Sequence, residues 1–122
     1  VDSHPEVLAV ARDALKRAAY EVLTAGNAAE ALAILAEDPL VDVILAEVLM
    51  PGVGGTELLK SARQCRPAIV PMLMSGYTGG EIIDPSVVFL PKPFTAGTLV
   101  ERVAGALRRE GIRHGSYSAR KQ

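Results

Sequence analysis

The run Val41-Asp42-Val43-Ile44-Leu45-Ala46 constrains this chain more than any other feature. A strand with one face in water alternates apolar and polar residues. A nearly unbroken apolar run of this length needs cover on both faces, which is how a strand inside a parallel sheet reads. Parallel neighbours cannot be joined by a tight turn, so such a strand requires crossover connections, most often helical.

The flanking sequence supplies those connections. From position 5 to 19, Leu8, Ala11, Leu15 and Ala18 recur at helical spacing, and Pro5 suits a first helical turn because its missing amide hydrogen would find no partner there. A short extended stretch follows over 20–24. Asn27 with Glu30 reads as an N-cap and its reciprocal partner, opening a helix that ends before Pro39 and faces the core with Ala28, Ala31, Leu32 and Leu35.

Beyond the central run, Pro51, Gly52, Gly54 and Gly55 break the chain, and 56–65 returns to helical spacing through Leu58, Leu59 and Ala62. The glycines have no phosphate-loop spacing and read as turn residues. Further buried strands are expected over 69–74, weakened early by Pro71, and over 87–90. Gly79, Gly80 and Pro85 leave room for only a short or irregular helical segment between them. Thr95 can cap a last helix carrying Leu99, Val103, Ala106 and Leu107 on one face.

Alternating strands and helices with short connections imply a parallel sheet covered on both sides. The 122 residues suffice for one such domain, over 1–109, followed at 110–122 by a polar, basic tail or linker. With no tryptophan, three tyrosines and two phenylalanines, the core must be aliphatic. Only Val1 precedes the first loop, so the first strand is expected to be truncated, with apolar residues belonging upstream of it.

Charge and composition narrow the function. A net charge of −1 gives no global attraction to nucleic acid or anionic lipid. Arg108, Arg109, Arg113, Arg120 and Lys121 lack interleaved aromatics and read as a solvated linker rather than a nucleic-acid contact. The single cysteine, Cys65, cannot form an internal disulfide and suits a reducing cytoplasm. No apolar run approaches the ~20 residues of a membrane span, so no membrane association is expected.

In open parallel sheets, ligands bind beyond the carboxyl ends of the strands. Those ends collect Asp2 and Ser3, Glu47, Ser75 and Lys92 from distant parts of the chain. Carboxylates suit a divalent cation, and an ammonium with a hydroxyl suits a phosphoryl oxyanion. His4, with no second His or Cys nearby in sequence, reads as a surface loop residue rather than a metal ligand. A small hydrolase or nucleotide-binding protein on the same layout is the alternative. It would need a nucleophile with its base, or a glycine-rich phosphate loop, and neither is visible.

Four segments carry a resemblance. Val1-Asp2-Ser3-His4-Pro5 resembles the acidic loop of response-regulator receiver domains, and Asp42 through Leu49-Met50-Pro51-Gly52 resembles the surroundings of their phosphorylated aspartate. Leu73-Met74-Ser75-Gly76-Tyr77-Thr78 is similar to the segment holding their switch Ser or Thr. Phe89-Leu90-Pro91-Lys92-Pro93-Phe94 is similar to their Lys-Pro loop, in wording especially close to receivers of hybrid sensor histidine kinases.

The resemblance spans 1–109 and implies a flavodoxin-like, doubly wound, five-stranded parallel sheet with helices on both faces. It implies a module of two-component phosphorelay signalling in bacteria rather than an enzyme. The implied partners are a sensor histidine kinase, a phosphotransfer protein or an output domain, with dimerisation open. Asp2 and Glu47 then stand as metal-binding acids, the Leu49 backbone carbonyl as a metal ligand, Ser75 and Lys92 as phosphate-site residues, and Phe89 as the aromatic that rotates on activation. Two departures stand out. Ser3 replaces the second acid, which weakens the Mg²⁺ site, and Glu47 replaces the phosphate-accepting aspartate, which impairs phosphorylation.

Overall fold

Helix α1 (Pro5–Arg17) begins at the proline the sequence marks as a helix start. It buries Ala14 and Leu15, with Val7, Ala11 and Ala18 half-buried beside them. The computed structural model describes residues 1–76, 87–109, 111 and 120–121. Ala19 closes α1 at φ 70°, a left-handed conformation that glycine usually supplies, and it turns the chain into β1 (Glu21–Val22).

Asn27 caps α2 (Ala28–Glu37) by accepting a hydrogen bond from the Glu30 amide at 2.9 Å. The Glu30 carboxylate reaches back one residue further than a capping box requires, accepting from the Gly26 amide at 2.8 Å. Of the expected core face, Ala28, Ala31 and Leu35 are buried and Leu32 is half-buried against them.

The apolar run becomes β2 (Val41–Glu47), with every residue but Asp42 buried. After α3 (Gly55–Cys65) come β3 (Val70–Ser75), β4 (Val88–Pro91) and α4 (Ala96–Arg109). Thr95 caps α4 through a 3.1 Å hydrogen bond from the Thr98 amide. The short helical segment expected around Gly79, Gly80 and Pro85 lies outside the described residues.

Among the described residues, the sheet has five parallel strands in the order β1-β5-β2-β3-β4. Strand β5 (Arg120–Lys121) comes from the segment read from sequence as a tail. It sits between β1 and β2, pairing with Glu21 and Val22 on one side and with Val41 and Val43 on the other. The same lane continues with the start of the chain. The Val1 carbonyl accepts from the Glu47 amide at 2.9 Å, and the Asp2 amide donates to the Ala25 carbonyl at 3.1 Å. The truncated first strand is therefore present only as Val1 and Asp2, while β5 occupies the lane's other end.

Side chains from β2 feed two separate cores. Val41, Ile44 and Ala46 join Ala31, Leu35, Leu58 and Ala62 under α2 and α3. Val43 and Leu45 join Leu15, Leu99, Val103 and Leu107 under α1 and α4. Full burial of Ile44 and Leu45 stabilises by roughly 1.5–3 kcal/mol each. This double cover forces β2 to be apolar until Glu47, the first acid the sheet carries to its carboxyl edge.

Candidate functional site

At the carboxyl edge, three charged side chains meet. The backbone bonds of Val1 and Asp2 hold Asp2 beside the end of β2, where its side chain is fully buried. Glu47 ends β2 and is 5% exposed. Lys92 follows β4, and its amide donates to the Ser75 carbonyl at 3.0 Å, so the end of β3 positions it. From there its Nζ reaches Asp2 Oδ2 at 2.8 Å and Glu47 Oε1 at 2.5 Å.

The other two carboxylate oxygens have donors as well. Asp2 Oδ1 accepts from the His4 amide at 2.9 Å, and the His4 ring Nδ1 lies 2.9 Å from the same oxygen. Glu47 Oε2 accepts from the Leu49 amide at 3.2 Å. Burial alone would raise the pKa of Asp2, but hydrogen bonds from Lys92 and His4 together outweigh it and hold the carboxyl below its ordinary range. Burial likewise works against the Lys92 charge, and the bonds to Asp2 and Glu47 overcome it, pushing its pKa up.

Local packing fixes the Glu47 backbone. Gly55, at the start of α3, lies so close that a Cβ there would come 2.2 Å from the Glu47 carbonyl oxygen and 3.0 Å from Leu73 Cδ2. The glycine turn after β2 thus lets α3 begin directly against the site. On the outer side, Lys92 lines a cleft of about 560 Å³ together with Glu6, Val7, Val10, Gly76 and Phe94.

The remaining residues picked out from sequence spread around this centre. Ser75 is buried at the end of β3. Ser3 is half-buried in the loop before α1, and Leu49 is exposed beyond Glu47. Phe89 is half-buried on β4 and packs on the core under α2 and α3. His4 is exposed, as expected of a surface loop, yet its ring stands against Asp2, a contact the sequence did not signal.

Receiver domains typically bind Mg²⁺ at their phosphorylation site. The arrangement in this chain does not fit that ion. Mg²⁺ requires near-ideal octahedral oxygen coordination. Here each oxygen of Asp2 and Glu47 already accepts a hydrogen bond from the chain itself. Among the described residues, no three His, Cys, Asp or Glu side chains are grouped so as to hold a metal ion.

A parallel sheet wound on both faces, with acids and a lysine gathered at its carboxyl edge, defines a receiver-type signalling domain. The chain belongs to the response regulator receiver domain family, whose model matches residues 1–104. Among curated proteins it is 37% identical over 110 residues to the hydrogenase transcriptional regulatory protein HoxA of Cupriavidus necator, covering 83% of this chain and 23% of that protein. It is 33% identical over 103 residues to the sensor kinase CckA of Brucella abortus, covering 80% of this chain and 11% of that kinase. The chain thus spans only a minor part of these relatives. Among solved structures, the receiver domain of the hybrid histidine kinase CckA superposes with a TM-score of 0.76 at 38% identity, covering 87% of this chain and 94% of that one. Among the described residues, no helix is long and apolar enough to cross a membrane.

Proposed function

We propose that this receiver holds its signalling state without forming an acyl phosphate, and passes it on by docking to a protein partner. The observation that carries the proposal is the Lys92 ammonium bridging Glu47 and Asp2. Glu47 stands where the resemblance places the phosphate-accepting aspartate. Its extra methylene moves the carboxylate outward by about 1.5 Å, toward the place a phosphoryl group would take. In-line phosphoryl transfer depends on positioning, so a displacement of that size disfavours acceptor chemistry. The same displacement makes the Glu47 carboxylate a partial stand-in for a phosphoryl group, with one charge in place of roughly −1.5 to −2. A charged contact of this kind contributes on the order of 1–3 kcal/mol. That shifts a two-state domain about tenfold or more when the contact forms in one state only.

Docking is supported by apolar side chains left in water around the site. Leu49 and Val53 are exposed in the turn after Glu47, and Val10 is exposed on α1 beside the Lys92 cleft. The partner class follows from the family: a histidine kinase, a phosphotransfer protein, or an output domain of the same parent protein, in the cytoplasm. Intact-mass analysis after incubation with acetyl phosphate and Mg²⁺ tests the proposal. The unmodified domain is expected to remain unlabelled, and Glu47→Asp combined with Ser3→Asp to recover labelling. Stoichiometric labelling of the unmodified domain at Glu47 would overturn it.

A further inference from the structure

We infer that Lys92 is the resident cation of this acidic site, and that it holds the two buried carboxylates together without a divalent metal. This rests on Glu47 being part of the receiver's acidic site, as proposed above. Asp2 and Glu47 offer four oxygens, and every one is engaged: His4 holds Asp2 Oδ1, the Leu49 amide holds Glu47 Oε2, and Lys92 takes one oxygen from each acid.

A divalent ion entering between the acids would therefore have to expel the ammonium, breaking bonds of 2.8 and 2.5 Å. The two carboxylates, 0% and 7% exposed at the side chain, have lost most of their water and depend on a positive partner. Lys92 supplies it at 19% exposure, where attraction is stronger than in bulk water. Ser3 decides the balance. A third carboxylate there would leave two net negative charges for a metal after Lys92 is counted, against one with serine. With serine in its place, two carboxylates face one ammonium, and a hard cation would have to hold on with few charged oxygens.

Lys92 and a metal ion are thus alternatives for one place, which gives the test. Mn²⁺ serves as the probe, with its free-ion electron paramagnetic resonance signal followed during titration of the protein. The wild-type domain is expected to take up no Mn²⁺ up to about 1 mM, the weak end of protein cation sites. Lys92→Met empties the place and leaves both acids, so it should bind Mn²⁺ about tenfold or more tightly. Lys92→Arg keeps the charge and should remain metal-free.

Sub-millimolar uptake by the wild type overturns the inference, as does a folded Lys92→Met that binds no better than the wild type. Should Lys92→Met fail to fold without metal, the wild-type melting temperature decides. Equal values in EDTA and in excess Mn²⁺ are expected, and a rise with Mn²⁺ refutes the inference. The two proposals fail separately: metal uptake without labelling by acetyl phosphate defeats only this one, and labelling without metal uptake defeats only the former.

Discussion

Two acids on the same strand, Asp42 near the start of β2 and Glu47 at its end, are treated in opposite ways. Asp42 Oδ2 is buried with no hydrogen-bond partner among the described residues, while both oxygens of Glu47 are matched by Lys92 and Leu49. A buried oxygen without a donor costs stability, and a matched one recovers most of that cost. The carboxyl edge of the sheet thus matches its buried acids with donors, whereas the acid at the opposite end is only tolerated.

The largest effect comes from removing the partner at the carboxyl edge. Lys92→Met would leave Asp2 and Glu47 buried against each other, and should destabilise the domain by about 3 kcal/mol. This is the low end for a broken buried pair, because Lys92 keeps part of its surface in water. Urea unfolding measures it. The pH profile carries the same signature. Asp2, held below its ordinary 3.8, contributes stability that is complete above that value and is lost as pH falls through its lower folded value. Lys92, raised above 10.5, contributes stability that is complete below that value and is lost as pH rises through its higher folded value. Wild-type stability should be flat between those limits where this group is concerned, and Lys92→Met should lose the alkaline limb. An unchanged midpoint and profile would mean the three charges do not act together.

Next in size is Gly55→Ala. The new Cβ would meet the Glu47 carbonyl, so either α3 or the end of β2 must move. A cost of about 1–3 kcal/mol is expected, typical of overpacking a tight contact. Amide chemical shifts of Glu47 and Leu49 should change more than those around Asp42. Equal changes at both ends would erase the distinction between them.

The smallest effect belongs to the other end. Asp42→Val removes the unmatched oxygen and adds a β-branched side chain to a strand, which should stabilise by about 1 kcal/mol. Thermal unfolding reads the gain. A loss instead would show that Asp42 is as well partnered as Glu47.

The sequence disclosed much of this layout because burial leaves a clear mark. β2 had to be apolar on both faces, and its end therefore pointed to Glu47. The strand ends likewise located Asp2, Ser75 and Lys92, and Asn27 and Thr95 announced the helix starts they cap. Other features left no such mark. Arg120 and Lys121 form β5 by pairing with β1 and β2, and two polar residues carry no periodicity. The approach of His4 to Asp2 depends on the path of a loop, and the reach of Glu30 to Gly26 on its rotamer. Neither follows from residue type and spacing.

The reach of Lys92 bears on how the domain comes together in time. Its side chain joins residues 90 and 45 positions away in the chain, and its amide ties it to Ser75. Contacts across such separations close late, because each must overcome the entropy of a long intervening loop before it returns any stabilisation. In an incomplete fold, Asp2 and Glu47 remain two hydrated acids with no ammonium between them. The charge cluster that defines the site is thus a property of the finished sheet alone, and a full-length chain whose folding stops before β4 is in place has the right residues but no site.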